Sequence, residues 1–497
     1  MSQLKTYDIF IIGGGINGCG LARDASGRGY RVGLAEMKDL ASGTSSASTK
    51  LIHGGLRYLE QYAFSLVREA LKEREVILNV APHLVQPLRF LLPYYEQQRP
   101  FWLLRLGLFL YDHIGGRKEF LSTKVIDLKR AFRDILQPRY EKAFEYSDAR
   151  VDDARLVIAN ARHAEHLGAD IMVGWKVVSA AVEETEGKTR MWRMGIENAA
   201  GEKKELMARY VVNAAGPWVG NVFSEVFDQE GNAPVRLVQG SHIVVPKIFS
   251  HDRAYIFQNI DRRIVFAIPY EEDFTLIGTT DEDYSGSLED IKISEKEMIY
   301  LCECVNQYFN RTISKRDIIW SYSGVRSLYD DGSLKAQDAT RDYVLKEIEK
   351  DEAFMLHIFG GKITTYRKLA EDALSIIEKK LAKETAPWTK NVPLPGGDFS
   401  YKNLQDFIAR LAEKVPNLSQ KSYKRLIRSY GTEAFEIFSQ GTGRHFGHDF
   451  YEAELMWLIK KEWARSIDDI LWRRTKLGLH FSETETEELQ KFLDNNI

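Results

Sequence analysis

Hydrophobic positions in the first forty residues predict a strand, a helix and a second strand. Residues 7–12 form a short apolar, β-branched run that is typical of a buried parallel strand. A helical pattern follows through Leu21 and Ala25, and residues 30–35 form a second apolar run that ends at Glu36. Strand, helix and strand in this order indicate a parallel βαβ unit.

The segment between the first strand and the helix, residues 13–18, has the pattern G-x-G-x-x-G. Gly13 suits a tight turn, Gly15 a close approach of the backbone to a pyrophosphate, and Gly18 close helix–strand packing. Glu36 can accept hydrogen bonds from a ribose diol and would repel the 2′-phosphate of NADP. The pattern favours an adenine dinucleotide, FAD or NAD, over an ordinary glycine turn.

A hydroxyl-rich loop follows the second strand over residues 41–57. Such a loop suits FAD, whose pyrophosphate and ribityl chain continue past the first strands and need many hydrogen-bonding partners. A flexible surface loop would have the same composition, so this preference for FAD over NAD depends on the position of the loop after Glu36.

The remainder of the chain shows two changes of pattern. Short β-rich runs at 237–245, 254–258, 263–270 and 275–279 are separated by charged turns, which predicts an antiparallel meander. Residues 393–397 read Pro-Leu-Pro-Gly-Gly and have the composition of a linker. The pattern beyond them is almost wholly helical.

Composition and charge exclude several classes of protein. A length of 497 residues suggests two or three domains of about 150 residues each. The formal net charge of −3 argues against a dedicated nucleic-acid binder. The three cysteines form neither a metal-ligand set nor a disulfide framework, and the sequence has neither a spanning apolar run nor a signal peptide. We therefore expect a cytoplasmic protein without a structural metal.

Four motifs carry a resemblance to a known family. They are the run from 13 to 60 with Gly-Gly-Leu-Arg-Tyr-Leu at 54–59, then Val-Val-Asn-Ala-Ala-Gly-Pro-Trp at 211–218, Ser-Gly-Val-Arg at 323–326, and Phe-Gly-Gly-Lys-Ile-Thr-Thr-Tyr at 359–366. With these motifs in this order, the chain resembles the FAD-dependent glycerol-3-phosphate dehydrogenases of the D-amino-acid-oxidase-like flavoprotein superfamily.

The resemblance implies an α/β fold with three parts. They are a Rossmann-like FAD-binding domain, an inserted antiparallel-sheet substrate domain and a C-terminal all-helical domain. The expected boundaries are 1–80, 150–222 and 327–392 for the first, 81–149 and 223–326 for the second, and 398–497 for the third.

The glycine motif and the resemblance together predict the residues that contact FAD. These are Gly13, Gly15, Ile16, Asn17, Gly18, Glu36, Ser42, Thr44, Ser45, Ser46, Lys50, Leu51, His53, Gly54, Gly55, Val178, Ala214, Ala215, Gly216, Trp218, Gly361, Lys362, Ile363, Thr364 and Thr365. The last five precede an amphipathic helix, whose N-terminus would stabilise negative charge on the reduced flavin. Thr364 or Thr365 is expected to cap that helix.

A phosphate monoester substrate requires a cluster of cations, since it is dianionic near neutral pH. The candidates are Arg57, Arg326, Arg341 and Lys362, each of which could instead be a solvated surface charge. Tyr58 is expected to hydrogen-bond to substrate or flavin.

His242 is the first candidate for the catalytic base, because the ordinary pKa of a histidine suits proton abstraction at cytoplasmic pH. The alternative is a histidine that is structural or only orients the substrate. Arg326 could itself polarise the substrate hydroxyl, so the identity of the group that handles the proton stays open.

The electron acceptor that the resemblance implies is a membrane quinone. Residues 101–111 form an apolar, aromatic segment flanked by basic residues, and they are too short to span a bilayer. They suit the bilayer surface at the inner face of the cytoplasmic membrane, or else a core helix. Residues 457–476 are a weaker candidate.

The sequence thus predicts oxidation of sn-glycerol 3-phosphate to dihydroxyacetone phosphate by hydride transfer to FAD N5, with electrons passed to quinone. The alternatives are an oxygen-dependent glycerol-3-phosphate oxidase, an amine oxidase of the same superfamily, and a non-catalytic FAD-binding protein. Covalent attachment of FAD, a homodimeric state and the role of the C-terminal domain are left open.

Overall fold

The structure is a computed structural model that describes residues 4–95, 100–116, 118–132, 134–185, 187–227, 235–259, 261, 263–278, 281–330 and 342–496. The strands are β1 (Lys5–Ile12), β2 (Val32–Glu36), β3 (Leu51–Ile52), β4 (Val85–Tyr94), β5 (Lys124–Asp127), β6 (Lys142–Val151), β7 (Asp170–Val173), β8 (Trp175–Glu184), β9 (Arg190–Asn198), β10 (Lys203–Asn213), β11 (Val235–Pro246), β12 (Ala254–Gln258), β13 (Ile264–Tyr270), β14 (Phe274–Gly278), β15 (Glu282–Asp283), β16 (Trp320–Tyr329), β17 (Val344–Lys350), β18 (Ala353–Phe359), β19 (His445–Gly447) and β20 (Phe450–Tyr451). The helices are α1 (Ile16–Gly27), α2 (Phe64–Val80), α3 (Phe101–Ile114), α4 (Leu128–Ala131), α5 (Asp153–His166), α6 (Val219–Asn221), α7 (Glu295–Asn306), α8 (Tyr366–Leu381), α9 (Leu404–Lys414), α10 (Gln420–Tyr430), α11 (Ala434–Ile437), α12 (Glu452–Glu462) and α13 (Glu483–Asn496).

The first sheet is built around β1, which pairs in parallel with β10 on one side and β2 on the other. The strand order is β17-β18-β10-β1-β2-β7, and β8 and β9 extend the sheet from β10 as an antiparallel pair. Ile9 and Ile11 share a core with α1, α5 and α8, whereas Phe10 and Ile12 share one with β8 and β9. Successive side chains of β1 therefore face opposite layers, and the arrangement confirms the expected Rossmann-like sheet.

The second sheet has the order β15-β11-β14-β13-β12-β4-β6-β3, with β16 paired to β11 and β5 paired to β6. The predicted meander is present as β11 to β14. The sheet is not wholly antiparallel, because β12 pairs with β4 in parallel, with Ala254 opposite Phe90. This pair joins the two segments of the predicted substrate domain, whereas β3 reaches the sheet from the predicted FAD-binding part. The domain boundaries themselves stay a prediction.

The C-terminal part packs helices α9 to α13 around a core of its own. It is not wholly helical, since β19 and β20 form a small hairpin. Residues 393–397, predicted as a linker, are packed in place: Leu394 is buried, and its N–H donates to the carbonyl of Val80 at 2.8 Å. A Cβ on Gly397 would lie 2.8 Å from that same carbonyl oxygen, so the glycine permits this contact.

Within the described ranges, no helix combines the length and the apolar character needed to cross a membrane.

Candidate functional site

A cavity of about 840 Å³ lies between the two sheets. The carboxyl ends of β1, β2, β10 and β18 open into it, and β11 and β16 form the opposite wall. In open parallel sheets this edge is where ligands bind. Both the volume and the position are those of a small-molecule site.

The glycine loop closes one end of the cavity. Gly13 has a φ of +112°, and a Cβ there would lie 2.6 Å from the carbonyl oxygen of Ala214. A Cβ on Gly18 would lie 2.0 Å from the carbonyl oxygen of Gly13. The tight turn and the close packing of α1 therefore require glycine at both positions. Gly15, at the N-cap of α1, lines the cavity.

Glu36 at the end of β2 accepts hydrogen bonds from two backbone amides. The N–H of Gly14 donates to Oε2 at 2.7 Å, and the N–H of Lys38 donates to Oε1 at 2.8 Å. Burial raises the pKa of Glu36, while these two bonds and the charge of Lys38 act in the opposite direction. The carboxylate is thus held in place at the cavity wall, as a ribose-binding acid must be.

The segment 360–365 meets the glycine loop although the two are far apart in the chain. Asn17 Nδ2 donates to the carbonyl of Gly360 at 3.1 Å, and a Cβ on Gly361 would lie 2.9 Å from the same nitrogen. Thr365 is the N-cap of α8, but its side chain makes no capping bond in the described structure. Thr364 does not cap either, because its hydroxyl pairs with the backbone of His53. The predicted side-chain cap is therefore wrong, and the Thr364 hydroxyl instead ties the segment to the loop 41–57.

Three of the four predicted substrate-binding cations line this one cavity: Arg57, Arg326 and Lys362. Lys362 Nζ lies 4.1 Å from the centre of the Tyr58 ring. Arg326 Nη1 lies 2.9 Å from Asp281 Oδ1. Arg341 lies outside the described residues.

His242 faces the cavity from β11. Its ring stacks on Tyr322 with the centroids 4.8 Å apart, and Nε2 lies 3.0 Å from Thr49 Oγ1. Its Nδ1 is buried without a hydrogen-bond partner among the described residues. Burial, together with the charges of Lys50 and Arg326, lowers the pKa of His242 to about 3. The imidazole is consequently neutral near pH 7.

Six predicted FAD contacts do not line the cavity: Gly18, Ser46, Lys50, Gly54, Val178 and Thr365. Lys50 turns away because its Nζ pairs with the buried Asp153 at 2.8 Å. Val178 has a side chain that is 40% exposed, and its neighbour Val177 lines the cavity instead, as strand alternation requires. Gly54 packs against Leu71 behind the wall.

The other predicted contacts reach the cavity. They are Gly13, Gly15, Ile16, Asn17, Glu36, Ser42, Thr44, Ser45, Leu51, His53, Gly55, Ala214, Ala215, Gly216, Trp218, Gly361, Lys362, Ile363 and Thr364. Sequence reasoning missed Thr49, the partner of His242, and Asp281, the partner of Arg326. The position of Thr49 within the hydroxyl-rich loop was a usable signal, whereas Asp281 lies in no motif.

Comparison with known proteins gives two family matches. Residues 8–367 match the family of FAD dependent oxidoreductases. Residues 387–494 match the C-terminal domain of alpha-glycerophosphate oxidase.

Full-length relatives are also similar. The chain is 48% identical to the D-erythritol 1-phosphate dehydrogenase of Brucella abortus, over 100% of this chain and 99% of the relative. It is 44% identical to the aerobic glycerol-3-phosphate dehydrogenase of Escherichia coli, over 99% and 98%. A solved structure of the glycerol-3-phosphate dehydrogenase of Bacillus halodurans with FAD has a TM-score of 0.74 at 25% identity, covering 99% of this chain and 94% of that one.

Proposed function

Because this chain belongs to the FAD-dependent oxidoreductase family, we propose that it oxidises the secondary hydroxyl of a small polyol phosphate, sn-glycerol 3-phosphate, to give dihydroxyacetone phosphate. The observation that carries the proposal is the convergence of Arg57, Arg326 and Lys362 on the cavity that the glycine loop closes. Three cations are more than an amine oxidase needs for one substrate carboxylate, whereas two of them match a phosphate dianion and leave the third for the reacting oxygen.

The cavity fits the cofactor of this family, FAD. Gly13 and Gly15 line the cavity at the N-terminus of α1, where the backbone of the loop can meet a pyrophosphate. The amide oxygen of Asn17 is buried without a hydrogen-bond partner in the described structure, as expected of an acceptor whose partner is the bound cofactor. When bound, FAD supplies the electron acceptor that takes a hydride from the substrate carbon.

The chain's own residues hold the substrate and move its proton. Arg57 and Lys362 bind the phosphate, and Arg326, positioned by Asp281, stabilises negative charge on the reacting oxygen. If Nε2 of His242 donates to Thr49, Nδ1 is the nitrogen that can accept the hydroxyl proton. The bound phosphate dianion would raise the depressed pKa of this histidine, so that substrate binding itself makes the base effective.

D-erythritol 1-phosphate is a second substrate to test in parallel, because the relative that is 48% identical is a D-erythritol 1-phosphate dehydrogenase. That polyol has one more carbon and one more hydroxyl than glycerol phosphate. Both substrates present a phosphate and a neighbouring secondary alcohol, so the same cations serve either one.

We also propose that the protein binds the inner face of the cytoplasmic membrane through α3 and passes its electrons to a quinone there. Trp102 is 66% exposed, and the apolar side chains of Leu106 and Phe109 are exposed as well. The opposite side of α3 is anchored in the fold, because Tyr111 donates to Asp148 and accepts from the N–H of Gly54, both at 2.8 Å. The helix thus joins an apolar surface to the loop beside the flavin site.

The function is tested by the visible spectrum of the purified protein in mild detergent without oxygen. Addition of sn-glycerol 3-phosphate should bleach the flavin band at about 450 nm. Bleaching by D-erythritol 1-phosphate at much lower concentration would reassign the substrate. A yellow protein that neither compound bleaches would refute the proposed activity. Reoxidation by a quinone, without hydrogen peroxide in air, would separate the dehydrogenase from an oxidase.

Substitution Arg57→Met checks the substrate pose. The loss of one charged hydrogen bond costs about 1.5–3 kcal/mol, which corresponds to a fall of about 10- to 100-fold in kcat/KM. The flavin band should be retained. The matched control is Arg209→Met, which removes an exposed arginine from β10, and it should leave kcat/KM unchanged.

A further inference from the structure

A second cavity, about 490 Å³, lies where the second sheet meets the C-terminal part of the chain. Its walls come from the end of β6, from the turn between β13 and β14, from α10, and from residues 475–480. Two arginines face each other across it, Arg150 of β6 and Arg428 of α10.

Arg150 and Arg428 are the two arginines of this cavity that no described residue holds in an ion pair. The lysines and the other arginine of the cavity are paired: Lys50 with Asp153 at 2.8 Å, Lys421 with Asp273 at 2.7 Å, Lys424 with Glu272, Lys476 with Asp152 at 3.1 Å, and Arg425 with Glu454. In the described ranges neither Arg150 nor Arg428 has an ion-pair partner, and Arg150 donates instead to the amide oxygen of Gln86. Burial and the charge of Arg150 lower the pKa of Arg428 to about 9. Two carboxylates, Glu271 and Glu272, attract both arginines without forming an ion pair with either, and burial raises the pKa of Glu271.

Buried hydrogen-bonding groups also point into this cavity without partners. His83 is 2% exposed and Tyr270 is 7% exposed, and neither the Nδ1 of the first nor the hydroxyl of the second has a partner among the described residues. Nε2 of Gln86 and Nε of Arg425 and of Arg428 are also buried without a hydrogen-bond partner among the described residues. These three nitrogens are all donors. Since a buried donor without an acceptor costs free energy, the missing group is one that accepts hydrogen bonds.

We propose that this cavity binds a small anionic metabolite, one that carries a phosphate or carboxylate group, between Arg150 and Arg428. Guanidinium groups pair with such oxyanions through two parallel hydrogen bonds, and oxyanion oxygens accept from every donor named above. Ordered water could satisfy the donors, but it would give the two guanidinium groups no charged partner with two parallel hydrogen bonds. The volume admits a molecule of metabolite size.

The test is titration calorimetry of the full-length, FAD-loaded protein at low ionic strength, with inorganic phosphate and separately with citrate. The wild-type protein should bind one equivalent more than Arg428→Gln, and the site should weaken at least tenfold in Arg150→Gln. Any binding of the anion in the flavin cavity is common to all variants and cancels in the difference. Arg410→Gln, which removes an exposed arginine of α9, is the matched control and should behave as wild type.

If the wild type binds the extra equivalent of phosphate only, or of citrate only, that anion is the one the site prefers. Equal stoichiometry in wild type and Arg428→Gln with both anions would overturn the proposal. If the variants do not fold, crystals of the wild-type protein soaked in tungstate provide a second test. Tungsten density between Arg150 and Arg428 would support the site, and density in the flavin cavity alone would refute it. Neither experiment depends on the flavin reaction, so the site can fail while the proposed oxidation stands.

Discussion

At the scale of single residues, burial favours the neutral form of His242. A histidine in the unfolded chain has a pKa near 6.5, whereas the folded chain lowers that of His242 to about 3. Between these values the unfolded state binds a proton that the folded state does not. Stability therefore falls as pH decreases from about 6.5 towards 3, by about 1.4 kcal/mol per pH unit for this one group.

Substitution His242→Gln removes this dependence without adding a charge. We expect the free energy of unfolding to fall less steeply between pH 6.5 and 5 in the variant than in the wild type, as measured by urea denaturation at each pH. His166→Gln replaces an exposed histidine of α5 and should keep the wild-type slope. Equal slopes for His242→Gln and wild type would show that His242 titrates normally in the folded protein.

Asp281 is expected to position Arg326 for the reaction. Substitution Asp281→Asn removes the carboxylate 2.9 Å from the guanidinium, so kcat should fall by about 10- to 100-fold while the flavin band is retained. Asp281→Glu should restore part of kcat. Asp283→Asn is the matched control, because this neighbouring acid pairs with Arg236 and does not line the cavity. A change in KM alone would assign Asp281 to substrate binding instead.

At the scale of elements, α3 carries the membrane proposal. The double substitution Leu106→Asp, Phe109→Asp places charge on its exposed apolar face, where each side chain gains about 1.5–3 kcal/mol on leaving water. Binding to vesicles of anionic lipid in a sedimentation assay should weaken at least about tenfold. Quinone reduction at a vesicle surface should fall, whereas bleaching of the flavin by substrate should not change.

The control for α3 is the double substitution Ile299→Asp, Ile319→Asp, which places the same two charges on exposed apolar residues outside α3. It should bind vesicles as the wild type does. If both variants lose binding alike, the attraction depends on net charge and not on the face of α3.

Local pattern predicted the elements whose contacts are close in sequence. The β1-α1-β2 unit follows from apolar runs around a glycine turn, and Glu36 follows from its place after β2. Contacts between segments that are distant in the chain cannot be predicted from such local patterns. Neither the parallel pairing of β12 with β4 nor the ion pair of Asp281 with Arg326 could be deduced, because both depend on how distant segments of the chain come together in the second sheet. Proline and glycine at 393–397 indicated a linker, and only the packed structure shows why the glycines are needed there.

At the scale of the whole molecule, buried ion pairs join the C-terminal helices to the FAD-binding part. Arg155 of α5 and Glu462 of α12 are both almost completely buried, and Nη2 of Arg155 donates to Oε1 at 2.9 Å. The same guanidinium donates to the carbonyl of Ser429 at 2.8 Å, next to Arg428 of the second cavity. The pair thus fixes one wall of that cavity as well as the contact between the two parts.

Substitution Glu462→Gln leaves the buried Arg155 without its counter-charge and should lower the free energy of unfolding by about 3–5 kcal/mol, as measured by denaturant titration. The double variant Arg155→Met, Glu462→Leu should recover most of that loss, because it removes both charges and keeps apolar volume. Glu141→Gln breaks the exposed pair with Lys129 and should leave the free energy of unfolding nearly unchanged. A small effect of Glu462→Gln would mean that water reaches Arg155, and that the C-terminal helices are held by their apolar contacts rather than by this charge pair.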